Sequence, residues 1–340
     1  MRTGDNPQRD KKLDLGDYFH QVIVPIYIPN LEGYYEQSFE VFKVSIDSII
    51  KTSHKDTFIT VVSNGSCKLV EDYIIELYRQ DKIQDVIFTK GIGKVNSILK
   101  GLSGMNLPLV TITDADVLFL NGWQNATYDV FKAFPKVGLV NPCPSSKVLK
   151  YQTYNLILDN LFNKDLVFTN VKDPEAQRHF AKSIDNLNFY NEFHLNQYLT
   201  LSNRRKNVRC VVGAGHFVAT YKRIVFKKID ESYTEYVLGG ASESILLDRP
   251  VTSNGFYRVS TERNYVFHMG NSLNNEYLSI FEDVDDIQKD YTDTTFLKEN
   301  QKSSNLKLKK FIFNKFLTKK IIWRMFLRFK KLNKEAIYEY

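Results

Sequence analysis

Cysteine is scarce. Cys67, Cys143 and Cys210 are odd in number and far apart in 340 residues, which excludes a disulfide framework or a clustered zinc site and predicts reduced thiols in a cytosolic protein. Long apolar runs are missing as well: none approaches the roughly 18 residues a membrane-spanning helix needs. The polar opening, Met1 to Lys12, has no leader-like apolar stretch. Acidic residues are absent from Lys302 to Lys334, where ten Lys and two Arg give a local +12. The whole chain is +7, so the remainder is about −5, mildly acidic. A nucleic-acid binder that is basic throughout is thereby excluded. With 43% hydrophobic residues, the chain can bury the core of one large or two ordinary domains.

What is present has a rhythm. Gln21-Val-Ile-Val-Pro-Ile-Tyr-Ile, Thr57-Phe-Ile-Thr-Val-Val, Asp85-Val-Ile-Phe-Thr and Leu107-Pro-Leu-Val-Thr-Ile-Thr are short apolar runs of the kind that suits strands buried on both faces. Amphipathic helical spacing separates them at 34–52, 68–80 and 95–102. This alternation predicts a doubly wound α/β sheet flanked by helices, with ligands outside the carboxyl ends of the strands. Domain boundaries follow: a polar segment over 1–20, the α/β domain over 21–270, a linker or edge over 271–305, and a basic amphipathic helical tail over 306–340. Residues 145–205, without a clean period, read as an insertion that forms a lid or acceptor region.

The most informative residues are Asp114-Ala-Asp116, placed directly after the fourth strand. Two carboxylates separated by one small residue repel each other unless a cation lies between them. Mg²⁺ or Mn²⁺ is typically held by one or two carboxylates with phosphate oxygens completing the shell, so the pair points to a metal–diphosphate site. A solvated acidic turn is the plainer alternative.

Together with Val24-Pro-Ile-Tyr, Ser63-Asn-Gly-Ser, Gly213-Ala-Gly-His-Phe-Val-Ala-Thr, Gly239-Gly-Ala-Ser-Glu243 and Phe267-His-Met-Gly-Asn, this order of pieces from Val22 to about Gly270 resembles the GT-A fold glycosyltransferases, in the style of family 2. The resemblance implies a GT-A mixed sheet, a nucleoside-diphosphate sugar as donor, and Mn²⁺ or Mg²⁺. It implies that Pro25 and Tyr27 border base and ribose, that Asn64 contacts the base, and that Lys94 and Asn96 lie against base or diphosphate. Asp114 and Asp116 would hold diphosphate and metal, His268 would join them as a ligand, and Glu243 would be the base of an inverting transfer. Where the family often has Asp-Asp-Gly-Ser, this chain has Ser63-Asn64, which keeps an amide and lacks the charge. Asn64-Gly65 also suits a simple tight turn, Glu243 a helix-dipole partner, and His268 a core-edge histidine. His216 is expected on the acceptor side or in the core, and Glu192 and His194 at the surface or in packing.

No Gln-x-x-Arg-Trp occurs, which favours single-sugar transfer over processive synthesis. The Lys-, Asn-, Ile- and Phe-rich composition suits bacterial surface polysaccharide assembly with a lipid-linked glycan acceptor. A retaining transferase and a silent membrane-bound scaffold are the alternative readings. In the tail, Phe311, Ile322, Met325, Phe326, Phe329 and Leu332 fall on one side of a helical wheel. Lys310, Lys320, Arg324, Arg328 and Lys331 fall on the other. This predicts a helix lying on an anionic membrane surface at the inner face of the cytoplasmic membrane; packing on the catalytic domain is the alternative.

Overall fold

The computed structural model describes residues 4–227, 233–286, 291 and 293–340. Strands β1 (His20–Ile26), β2 (Thr57–Ser63), β3 (Asp85–Phe88) and β4 (Leu109–Thr113) alternate with helices α1 (Ser38–Thr52), α2 (Lys68–Arg79) and α3 (Lys94–Leu102). These are the four strands and three helices that the apolar runs and helical spacing predict. All seven residues of β1 are buried, because helices cover both faces of a parallel strand.

The remaining strands are β5 (Val117–Phe119), β6 (Val137–Asn141), β7 (Leu166–Asn170), β8 (Gln197–Asn203), β9 (Val208–Val212), β10 (Val218–Lys222), β11 (Tyr257–Thr261) and β12 (Val266–His268), with helix α4 (Trp123–Ala133) between β5 and β6. Ten strands form one mixed sheet in the order β3-β2-β1-β4-β10-β6-β11-β9-β8-β7. Strand β10 runs antiparallel to both β4 and β6. This is the mixed, helix-flanked architecture that the resemblance implies.

Two features of the topology open a crevice. The chain leaves β1 towards β2 and β3, then returns to pair β4 on the other side of β1, a topological switch point. The β1–β2 register extends to Ile26↔Ser63, whereas β1–β4 pairing ends at Ile23↔Ile112. Past Ile23 the two strands part, and the gap lies at their carboxyl ends.

Residues 145–205 are not a lid. They supply β7 and β8, which extend the sheet through antiparallel pairing with β9, and Leu156, Ile157, Leu166, Phe168, Leu199 and Leu201 enter the largest apolar core. Nor is 306–340 an appended tail. Phe313, Leu317, Trp323, Phe326, Leu327, Leu332 and Ile337 are buried in that same core. The Phe168 N–H donates to Lys330 O at 2.9 Å, so the segment covers the free edge of β7, which would otherwise offer unpaired backbone groups. Lys330 is itself buried; its ammonium donates to the carbonyls of Asn160 and Asn163 at 3.2 and 3.0 Å, and burial pushes its pKa down to about 8.

The expected linker is tied down as well. Phe296 is buried against Tyr128 and Phe131, and Ser303 N–H donates to Gly255 O at 2.7 Å. Within 287–290 and at 292, the expectation of a linker lies outside the described residues.

Candidate functional site

A cavity of about 560 Å³ occupies the crevice, with Pro25, Tyr27, Asn64, Lys94, Asp114 and Asp116 among its lining residues. Six positions named from sequence, spread over ninety residues of chain, therefore meet in one place. Ile26, the residue after Pro25, ends the paired part of β1. Tyr27 follows it, half exposed, with its ring edge-on to Tyr35 at 5.9 Å, and Tyr34 meets Tyr35 at 5.1 Å. This aromatic group at the rim offers flat faces to a planar ligand.

Asn64 belongs to the wall. Its Oδ1 accepts from Ile92 N–H at 2.8 Å and Thr89 Oγ–H at 3.1 Å, so it fixes the loop that leads into α3. Asn96 does not reach the cavity. Its amide donates to Ile92 O and Thr234 O, both at 2.8 Å, and accepts from Thr234 N–H at 2.9 Å. These bonds tie Ile92 and the 233–238 loop together, and Asn96 makes a structural link where a nucleotide contact was expected.

Lys94 opens α3 behind Gly93, whose φ is +91° and whose Cα has Tyr236 O within 2.9 Å of where a Cβ would stand; glycine is required there. The lysine reaches two acids. Its Nζ lies 2.7 Å from Asp114 Oδ1 and 2.7 Å from Glu243 Oε1. Burial works to lower the Lys94 pKa, but the two carboxylates outweigh it and hold the ammonium well above its ordinary value. Asp114 is oriented from behind: its N–H donates to Phe217 O at 2.8 Å, because β10 pairs Val218 with Thr113.

The partner acid, Asp116, points elsewhere. The ribbon of β5 and β12 pairs Val117 with His268 and brings His268 Nε2 to 3.5 Å from Asp116 Oδ2. Ser183 fixes the ring's tautomer. Its hydroxyl donates to Phe180 O at 2.8 Å and so accepts from His268 Nδ1–H at 2.9 Å. In the neutral imidazole, Nε2 then turns a lone pair toward the carboxylate. Two acceptors facing each other require a proton or a cation between them. Asp116 Oδ1 is sealed from solvent and has no hydrogen-bond partner, although the side chain as a whole is 31% exposed. Burial is the main cause that lifts the Asp116 carboxyl to about 6.

The expected three-ligand set of Asp114, Asp116 and His268 is not assembled, because Asp114 is committed to Lys94. No group of three or more His, Cys, Asp or Glu able to hold a metal occurs among the described residues. Asp116 and His268, with the orphaned Oδ1, do fit a divalent cation that takes two protein ligands and completes its shell with phosphate and water.

Beyond Glu243 the acids and bases continue inward. Glu243 Oε2 lies 3.3 Å from His216 Nε2, and His216 Nδ1 lies 3.5 Å from Asp248 Oδ2. Asp248 Oδ1 takes Arg258 Nη2 at 2.7 Å, and neither residue is exposed at all. The hydrogen bond to Asp248 is the main cause that raises the His216 pKa above its ordinary value. A π-helical turn over Ser244–Asp248 widens the helix so that Glu243 and Asp248 both address the one imidazole.

From sequence, Asp248 and Arg258 are not named, and His216 is expected on the acceptor side or in the core without being joined to Glu243. One signal was available: Arg258 sits in the otherwise apolar-and-hydroxyl run Tyr257-Arg-Val-Ser-Thr, and a guanidinium buried in a strand needs an acid partner.

No family model matches the chain, and no curated protein matches it in sequence. Among solved structures, S. aureus TarS 1-349 is similar to it with a TM-score of 0.41 and 14% identity, covering 73% of this chain and 59% of that one. The mannosyltransferase PcManGT from Pyrobaculum calidifontis, solved in complex with GDP-Man and Mn²⁺, gives 0.41 and 16%, covering 75% and 59%. An inositol-1-phosphate CTP transferase from T. maritima gives 0.42 and 13%, covering 78% and 96%. The chain thus spans 59% of the length of the first two. What the site does must be read from its own residues.

Proposed function

We propose that the protein transfers a single sugar from a nucleoside-diphosphate donor to a hydroxyl of a glycan acceptor, with inversion. The observation that carries this reading is Lys94, held 2.7 Å from both Asp114 and Glu243. One cation links the strand-end acid of the donor crevice to the acid on the opposite, acceptor side. The base would lie on the Tyr27–Tyr35 rim near the Asn64 wall, and the diphosphate over the amino end of α3, where Lys94 and backbone N–H groups favour anions.

Asp116 and His268 would hold a Mn²⁺ or Mg²⁺ ion, which supplies charge neutralisation for the leaving diphosphate. The chain's own residues do the rest. Glu243 takes the proton of the acceptor hydroxyl as that oxygen bonds to the anomeric carbon. The bond from that carbon to the diphosphate oxygen breaks, and its electron pair leaves with the nucleoside diphosphate. His216, steadied by Asp248, keeps Glu243 oriented. Lys94 offsets charge in whichever carboxylate bears it.

The test is a thermal-shift screen of UDP-, GDP- and CDP-sugars with Mn²⁺ and with Mg²⁺. One donor should raise the melting temperature in a metal-dependent way, and Asp116→Asn should remove the effect. If no nucleotide sugar stabilises the protein with either metal, the reading fails. The anomeric configuration of the product then checks inversion, and with it the role of Glu243.

A further inference from the structure

The helix Lys320–Phe329 has three sectors rather than two. Trp323, Phe326 and Leu327 face the core and are buried. Beside them Ile321, Met325 and Phe329, spaced four apart and therefore on one face, remain 74%, 63% and 57% exposed, with Ile322 at their margin. On the far side of this stripe stand Lys320, Arg324 and Arg328, again four apart. Phe162, 83% exposed, meets Phe329 edge-on at 6.4 Å and widens the stripe. Phe311 and Phe316, both exposed, form a second aromatic pair at 5.8 Å on the preceding turns.

The core already has its share of apolar residues from this helix, so the outer stripe is surplus to folding. Its cations carry charge that no acid among the described residues neutralises, although Arg324 lies over the Tyr338 ring at 4.3 Å. Between Lys302 and Lys334, Lys309 alone has a carboxylate partner, Asp159, among the described residues.

We propose that this outer face docks on an anionic lipid bilayer. Ile321, Met325, Phe329 and Phe162 would enter the boundary between headgroups and acyl chains, and Lys320, Arg324 and Arg328 would lie against lipid phosphates. Charge complementarity selects this occupant. A second copy of the chain on the same stripe would bring two rows of unpaired cations together. A nucleic acid would satisfy the cations and leave the apolar stripe in water. The surface stands independently of the transfer reaction, since none of its residues lines the crevice.

The full-length protein is sedimented with vesicles of phosphatidylcholine alone and of phosphatidylcholine with phosphatidylglycerol. Binding is expected on the anionic vesicles only, weakening as salt is raised. The double variant Met325→Glu, Phe329→Glu should lower the partition by roughly tenfold or more, with an unchanged melting curve because both side chains are outside the core. Three results would overturn the proposal: no binding to anionic vesicles, binding indifferent to the double variant, or a stripe that the double variant shows to hold two copies together in solution. Duplex DNA binding that survives the double variant and competes with the vesicles would overturn it as well.

Discussion

Arg258 Nη2 and Asp248 Oδ1 are 2.7 Å apart with neither side chain exposed, and this buried pair stands behind His216 and Glu243. Asp248 also accepts from the Tyr151 hydroxyl at 2.8 Å and faces His216, so its charge reaches Glu243 through one imidazole. Arg258→Met should therefore cost roughly 3–5 kcal/mol, because it strands a buried carboxylate. The double variant with Asp248→Leu should recover a good part of this. Urea denaturation of the three proteins measures it; a double variant as unstable as the single one would contradict the pairing.

Lys94→Met removes the cation that Asp114 and Glu243 share. The ammonium is partly exposed, so solvent screens part of the loss, and the cost in stability is about 1–3 kcal/mol. Nucleotide affinity should fall more steeply than stability, and isothermal titration with the donor found by thermal shift checks this. Lys94→Arg should restore stability better than affinity, since a forked guanidinium does not reproduce a point charge between two acids.

Stability should fall toward acid pH. His54 is pushed down to about 4 by burial, and His20 well below its ordinary value by burial and by His54; their rings share the Tyr128 hydroxyl at 2.8 and 2.5 Å. His194 is also held near 4, by burial first. In each case the unfolded chain binds a proton below about 6.5 that the folded one refuses, so stability is complete above that pH and drains away between about 6.5 and 4. His54 alone accounts for roughly 3 kcal/mol of this. His216, raised by Asp248, acts in the opposite sense: its contribution is present at low pH and lost as pH rises through its folded value. Asp116, lifted to about 6 mainly by burial, also acts in that opposite sense, but three depressed histidines outweigh these two groups and give a net loss in acid. Denaturation at pH 7 and pH 5 measures the difference; equal stability at the two would contradict it.

Ending the chain at Asn300 should abolish cooperative unfolding rather than merely release an accessory segment. The same core is probed more gently by Trp323→Ala, expected to cost about 3–5 kcal/mol, because the indole is buried and its N–H donates to Tyr340 O at 2.9 Å. Met325→Ala on the outer stripe should change stability by less than about 0.5 kcal/mol. Similar losses at 323 and 325 would mean that the helix sits otherwise than described.

By themselves the residues determined the sheet's first half and the location of its crevice. Strands β1, β2 and β4 are legible because a strand buried on both faces must be apolar throughout, and Asp114 and Asp116 stand out because charge directly after such a strand is costly without a partner. Which partner each acid takes was decided only by the tertiary structure. Lys94 meets Glu243 across a long stretch of chain, and Asp116 meets His268 through a short ribbon, pairings that leave no local period to read. The last helix makes the same point. Its amphipathic wheel is plain in the sequence, but a wheel records which side chains avoid water and not what covers them. Only the free edge of β7 settled that Trp323, Phe326 and Leu327 go inward while Ile321, Met325 and Phe329 stay outside.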